Sequence, residues 1–215
     1  NAASSYQYDA FGRLTSSTGA NGNVTQDSYD RLGRLVQVVD PRNAARSSTY
    51  DAFGQVLTQT DALGNTTAYS YDTANRSIKV TLANGVSMTT VRNREGQTQS
   101  VTDGNGNTTV YTYDQDGNLL STQTPLATSS NRYDAADNLI LTVEGNGNTM
   151  GYEYDPANRL LTQIVDPGTD DRGGMYLTTR YEYDAKGEKI GVTDPNGVFT
   201  QIAYDAKGEV LSQTV

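Results

Sequence analysis

Polar and apolar residues alternate in short runs along the chain. In NTTAYSY (65–71), Thr67, Tyr69 and Tyr71 fall on one side of an extended backbone and Thr66, Ala68 and Ser70 on the other. That period of two is the pattern of a β-strand. GQVLTQT (54–60) is a second strand-like run, and turn residues separate it from the first. The turns are of two kinds and alternate about ten residues apart, so the chain reads as a continuous meander of two-stranded hairpins. One hairpin cannot hold itself in water, whereas many stacked ones can.

The hairpins repeat. A tyrosine followed by an aspartate stands at Tyr8, Tyr29, Tyr50, Tyr71, Tyr113, Tyr133, Tyr154, Tyr183 and Tyr204, with Arg92-Asn93 in the same register between the fourth and fifth of these. The steps are 21 residues except for one of 20 and one of 29, which makes ten registers. Four residues after the tyrosine stand Gly12, Gly33, Gly54, Asn75, Gly96, Gly117, Asp137, Asn158, Gly187 and Gly208. Gly, Asn and Asp tolerate positive φ best, so this position is expected to be left-handed. Asp three residues earlier suits the first position of a type I turn, where its carboxylate accepts backbone N–H groups. The expected structural turn residues are therefore Asp9, Gly12, Asp30, Gly33, Asp51, Gly54, Asp114, Gly117, Asp184, Gly187, Asp205 and Gly208. A type I turn followed by a left-handed residue is a common hairpin connection with a G1 bulge. The second kind of turn is marked by Gly22, Asn43, Gly64, Gly85, Gly106, Gly147 and Gly197.

Of the 15 tyrosines, all but Tyr176 occupy the motif position or the position two before it. Stacked repeats would align Tyr8, Tyr29, Tyr50, Tyr69, Tyr71, Tyr111, Tyr113, Tyr133, Tyr152, Tyr154, Tyr181, Tyr183 and Tyr204 as a ladder across the sheet. Cross-strand aromatic pairs contribute about 0.2–1 kcal/mol each. Roughly twenty strands at ~4.8 Å spacing give a sheet path on the order of 95 Å, and open sheets of that width curl or split. The expected fold is all-β: a long antiparallel meander, one hairpin per repeat, curling into a spiral or shell-like sheet. Residues 1–215 read as a single array with no separate domain. The eight-residue excess in 166–179 is expected to form a protruding loop, and Pro125 to mark an edge or a distorted turn.

The residues now carry a family resemblance. The 21-residue period, the core Y-D-x-x-G-x-L and the linking D-x-x-G-N-T-T-x-Y-x-Y-D resemble the RHS or YD repeat over essentially the full chain. That family includes bacterial Rhs polymorphic toxins, the C components of insecticidal toxin complexes and teneurin ectodomains. The resemblance implies a hollow shell which, in the bacterial toxins, encloses a C-terminal toxic domain. The self-cleaving aspartate segment that ends many bacterial shells has no counterpart here, because the Asp-Pro of DPNG (194–197) sits at an ordinary mid-repeat turn. The chain opens and closes inside a repeat and reads as a fragment of a longer polypeptide, whose remainder is its expected partner. Self-association through open sheet edges is a second expectation.

Composition narrows the function. The chain has 215 residues, net charge −9, no His, no Cys and no Trp, and hydrophobic residues make up only 35%. An acidic surface is a poor partner for nucleic acid. No apolar run approaches membrane-spanning length. Absence of Cys excludes disulfides and favours the bacterial branch of the family over the disulfide-rich teneurins. No nucleophile triad can be completed without His. The nine motif aspartates occupy one structural position each, whereas a catalytic carboxylate pair is unique to its site. DGNGNTTVYTYD (103–114) begins like a calcium loop but carries Thr108 where Gly is needed and Asp114 where Glu is usual. Sequons at Asn23, Asn65, Asn75 and Asn107 mostly follow turn glycines and read as by-products of turn chemistry. The expectation is a non-enzyme without metal or cofactor: a wall segment of a secreted or delivered bacterial toxin. Two alternatives stand beside it. One is a carbohydrate- or cell-surface-binding repeat whose tyrosines stack on glycans, although such repeats usually use Trp. The other is a β-propeller with two repeats per blade, although odd and even repeats do not differ.

Overall fold

Strands form here where β-branched, aromatic and other extended-chain residues predominate, and each ends where clustered Gly, Asn, Asp or Pro supplies a turn; single residues of those kinds, such as Asp27, Asn131, Gly151 and Gly191, are carried inside strands. The computed structural model describes residues 3–166 and 175–215, and those residues hold twenty β-strands and no helix. They fall into two compact units, Asn1–Thr108 and Thr109–Val215.

In the first unit ten strands run from β1 (Ser5–Tyr8) to β10 (Thr98–Thr102). The third to sixth, β3 (Val24–Tyr29), β4 (Leu35–Val39), β5 (Ala45–Tyr50) and β6 (Val56–Thr60), show the rule. Each pairs antiparallel with the next. Across the Tyr-Asp turn the register steps from Ser28↔Gln37 to Tyr29↔Leu35, which is a bulge of one residue. Across the mid-repeat turn Gln37, Val38 and Val39 pair with Ser47, Arg46 and Ala45 without a shift. The bulge recurs between Thr49 and Tyr50. In the second unit β12 (Leu119–Gln123) to β20 (Val210–Thr214) follow the same rule, with bulges before Tyr133, Tyr154, Tyr183 and Tyr204.

Two turns depart from the expected form. At the fourth register the left-handed residue is Arg76 (φ 50), not Asn75. The cause is a loop longer by one residue. Tyr71 and Asp72 pair directly with Ile78 and Ser77, so the residue that bulges elsewhere is drawn into the turn. At the 20-residue step Thr124 N–H donates to Ala127 O at 2.8 Å, a tight four-residue turn with Pro125 at its second position. Proline pre-sets the φ that this position requires.

Neither unit has a thick core. Ile202 is the one buried hydrophobic side chain among the described residues, and Thr149 and Thr162 are the buried polar ones. Most strand side chains are half-buried and pack laterally against cross-strand neighbours. On the face opposite Tyr69, Thr60 and Thr66 share a hydroxyl hydrogen bond of 2.9 Å; Thr49 and Thr58 share one of 2.6 Å and Thr102 and Thr108 one of 2.9 Å. Order in such a sheet comes from ladder bonds and pairwise contacts, so the joints between hairpins determine the structure.

Candidate functional site

The recurrent site is the Tyr-Asp joint. At the first register Gly12 N–H donates to Asp9 O at 3.0 Å and Asp9 N–H donates to Arg13 O at 2.9 Å. Gly12 holds φ +78 with open space around it, so a side chain there would meet conformational strain and no clash. Asp9 Oδ1 accepts the N–H groups of Phe11 (2.9 Å) and Arg13 (3.0 Å), and Oδ2 accepts Arg13 Nε at 2.6 Å. The arrangement recurs around Asp30 with Arg34 and around Asp155 with Arg159. Asp51, Asp114, Asp184 and Asp205 likewise accept two backbone N–H groups each. Gly33, Gly54, Gly117, Gly187 and Gly208 all have positive φ. Where the register carries Arg92-Asn93, Asn93 Oδ1 accepts Gln97 N–H at 2.9 Å and Gly96 keeps φ +86.

These bonds favour ionised carboxyls. The backbone N–H of Arg13 holds the Asp9 carboxyl below its ordinary range, helped by the Arg13 guanidinium and the Phe11 N–H against desolvation; Arg34 does the same for Asp30. At Asp61, Asp103 and Asp134 the first cause of the lowering is the side-chain amide of Asn65, Asn107 or Asn138.

The residue five after the tyrosine, to which the sequence reading assigned no role, joins one repeat to the next. Arg13 lies over the Tyr29 ring at 4.8 Å, Arg34 over Tyr50 at 4.7 Å and Arg159 over Tyr183 at 5.0 Å. The same guanidiniums donate to the carbonyls of Asp30 (3.4 Å), Asp51 (2.7 Å) and Asp184 (3.2 Å). Each therefore staples its own turn aspartate to the tyrosine and backbone of the following turn. Asparagine does this with a shorter reach: Asn118 Nδ2 donates to Asp114 Oδ2 and to Asp137 Oδ1, and Asn138 Nδ2 to Asp134 Oδ2 and Asn158 Oδ1. The available signal was an Arg or Asn four residues after six of the nine motif aspartates, a spacing that suits a planar donor closing on its own carboxylate.

The motif tyrosines close the other side of the seam. Tyr50 OH donates to Leu35 O (2.9 Å), Tyr71 to Val56 O (3.0 Å), Tyr133 to Leu119 O (3.1 Å), Tyr183 to Leu160 O (2.9 Å) and Tyr204 to Lys189 O (2.8 Å). Each acceptor lies beyond the last residue that pairs with the next hairpin, such as Gln37 on β4, so the hydroxyl supplies a bond that the ladder does not. The tyrosines two residues earlier bond within the sheet surface: Tyr69 to Gln59 Oε1, Tyr181 to Gln163 Oε1 and Tyr152 to Met150 Sδ. Tyr111 and Tyr113 lie on β11 (Thr108–Tyr113), and Tyr8 ends β1 with most of its surface exposed. Burial pushes the Tyr154 and Tyr183 hydroxyls up.

Such a site holds chain to chain. Each motif carboxylate is engaged by its own turn, as is that of Asp103, whose oxygens accept Asn105 N–H, Asn107 N–H and Asn107 Nδ2. Among the described residues no three acidic side chains converge as a metal site would require. Much of the expected loop at 166–179 lies outside the described residues; at its flanks Met175 N–H donates to Asp166 Oδ2 and Tyr176 N–H to Asp166 O. No helix among the described residues is long and apolar enough to cross a membrane.

The RHS repeat model matches residues 4–45, 50–87, 92–129 and 133–171. Solved structures agree on the fold. The crystal structure of TcdB2-TccC3 superposes with a TM-score of 0.68 at 20% identity over 98% of this chain and 13% of that one. TcdB2-TccC3-TEV gives 0.68 at 21% identity with the same coverage. A Photorhabdus luminescens Tc holotoxin pore gives 0.51 at 16% identity over 94% of this chain and 14% of that one. The chain thus spans about an eighth of the length of the chains it resembles. No curated protein matches its sequence.

Proposed function

The chain belongs to the RHS repeat family, and from that membership we propose that it is a non-catalytic stretch of wall, one continuous repeat array within a longer polypeptide that encloses a C-terminal toxin or effector segment and is delivered outside the producing cell. The observation that carries the reading is the joint itself. Motif carboxylates that a catalyst would need free are engaged by their own turns, eight of the nine by two backbone N–H groups and Asp72 by the N–H and side-chain amide of Asn75. A group so committed holds a turn in place, and a row of such turns makes a continuous surface. Structures of similar fold come from Tc toxin assemblies whose chains are several times longer, which fits a wall that continues beyond these residues.

The test is protease accessibility of whatever follows the repeats in the full-length polypeptide. Enclosure predicts that the C-terminal segment resists a broad-specificity protease under native conditions and is digested once the array is unfolded with denaturant. Equal digestion rates in both conditions would sink the proposal.

A further inference from the structure

Two irregularities of the repeat meet at one place in the first unit. Arg76 stands five residues after Tyr71, the position from which Arg13, Arg34 and Arg159 staple their registers. Those three each contact a turn aspartate at 2.6–2.7 Å and lie over the next motif tyrosine. Arg76 has neither partner. Asp72, its turn aspartate, is held by Asn75 through N–H at 3.0 Å and Nδ2 at 2.6 Å. Where the next tyrosine would stand, the chain has Arg92. The two arginines instead meet through backbone: Arg76 Nε donates to Arg92 O at 3.1 Å, and Arg92 N–H donates to Arg76 O at 3.0 Å.

A third arginine completes the group. Arg94, exposed in the following turn, lines a cleft of about 390 Å³ together with Arg76, Arg92, Tyr71 and Ile78. None of the three arginines is in an ion pair among the described residues, although the chain carries net charge −9. Asp72 also lines the cleft, with its carboxylate committed to Asn75, and Glu95 sits at the neighbouring turn tip. Each guanidinium has about five N–H donors in a planar fork that matches an oxyanion. Apart from the bond of Arg76 Nε to Arg92 O and that of Arg92 Nη1 to Gly96 O (2.8 Å), those donors have no protein acceptor among the bonds described. Three guanidiniums outnumber the one carboxylate, Asp72, that lines the cleft, and a bound anion offsets the remaining like-charge repulsion.

We propose that this cleft binds a tetrahedral oxyanion, phosphate or sulfate, either free or carried as an ester on a small sugar. Its volume lies within the range of about 300–1,000 Å³ typical of small-molecule sites, which leaves room for the sugar. The test is calorimetric titration of the 215-residue chain with inorganic phosphate and, separately, glucose 6-phosphate, at ionic strength held constant with NaCl. Saturable binding is expected for at least one. Tighter binding of the ester identifies an esterified ligand, and equal or weaker binding identifies the free ion.

Arg92→Tyr restores the residue found at the other nine registers and gives Arg76 an aromatic partner, so the variant is expected to fold at least as well. It should weaken binding by about tenfold or more. Arg94→Gln, on an exposed turn, should weaken it without changing the melting temperature. The proposal is overturned if neither ligand binds saturably, or if both variants bind as the unsubstituted chain does.

Discussion

At the scale of single residues, backbone conformation and charge act separately. Gly54 has φ +86 with nothing within 4 Å of where a Cβ would lie, so a substitution there tests conformation alone. Gly54→Ala should cost about 1 kcal/mol in urea unfolding, and Gly54→Asn clearly less, because asparagine enters the left-handed region more readily. Asn43 and Asn158 already hold φ 62 and 60 in equivalent turns. Equal losses for Ala and Asn would mean that something other than φ matters at this position.

The aspartates set the pH dependence. Asp9, Asp30, Asp61, Asp103, Asp134 and Asp155 all titrate below the ordinary carboxylate value in the folded chain. A depressed folded pKa binds fewer protons than the unfolded chain does, so the stabilisation is complete above the unfolded value of about 3.9 and is lost as pH falls through the folded values. The melting temperature followed by circular dichroism should be flat from about pH 8 to 5 and should drop below about pH 4. A melting temperature as high at pH 3 as at pH 7 would contradict the account.

At the scale of the hairpin, the staple is a coupling between neighbours and is measurable as one. A double-mutant cycle of Arg34→Ala and Tyr50→Phe would leave the ring in place, so the informative cycle pairs Arg34→Ala with Tyr50→Leu. The expected coupling energy is about 0.5–1 kcal/mol, the range for a guanidinium over an exposed aromatic face. Arg34→Lys should lose most of it, because an ammonium cannot donate along a fork to Asp30 and the Asp51 carbonyl at once. A coupling of zero would assign the 4.7 Å approach to coincidence.

The hairpin is also the scale at which sequence and structure part company. The meander was legible because turn residues and strand residues differ in kind and recur at a fixed step. The joints were less so. Arg13 and Arg34 stand inside the repeated motif, but their partners lie 17 residues on, and a contact at that distance leaves no mark in a local pattern. Tyr50 recurs as a ring, whereas its hydroxyl partner Leu35 O is a backbone atom with no side-chain signature. The shift of the left-handed residue from Asn75 to Arg76 depends on whether one residue bulges or joins the loop, a choice that tolerant turn residues leave to the pairing of Tyr71 with Ile78.

At the scale of the molecule, a chain whose stability resides in nearest-neighbour joints should behave as a sum of repeats, as stacked-repeat proteins do. Deleting residues 30–50 joins Tyr29 to Asp51 and regenerates a Tyr-Asp turn. Two strands, β4 and β5, leave together, so every later strand keeps its direction. Arg13 keeps the Tyr29 ring and finds the carbonyl of Asp51 where that of Asp30 stood. This variant should remain β-rich and unfold with a urea m-value lower by about a tenth, in proportion to the surface removed. Deleting residues 40–50 removes one strand instead. Every later strand then reverses direction relative to those before the join, and Arg34 and Leu35 lose the ring and hydroxyl of Tyr50. The half-repeat deletion should therefore destabilise more than the whole-repeat one although it removes fewer residues. If stability simply tracked the number of residues lost, the joints would not be what holds the array together.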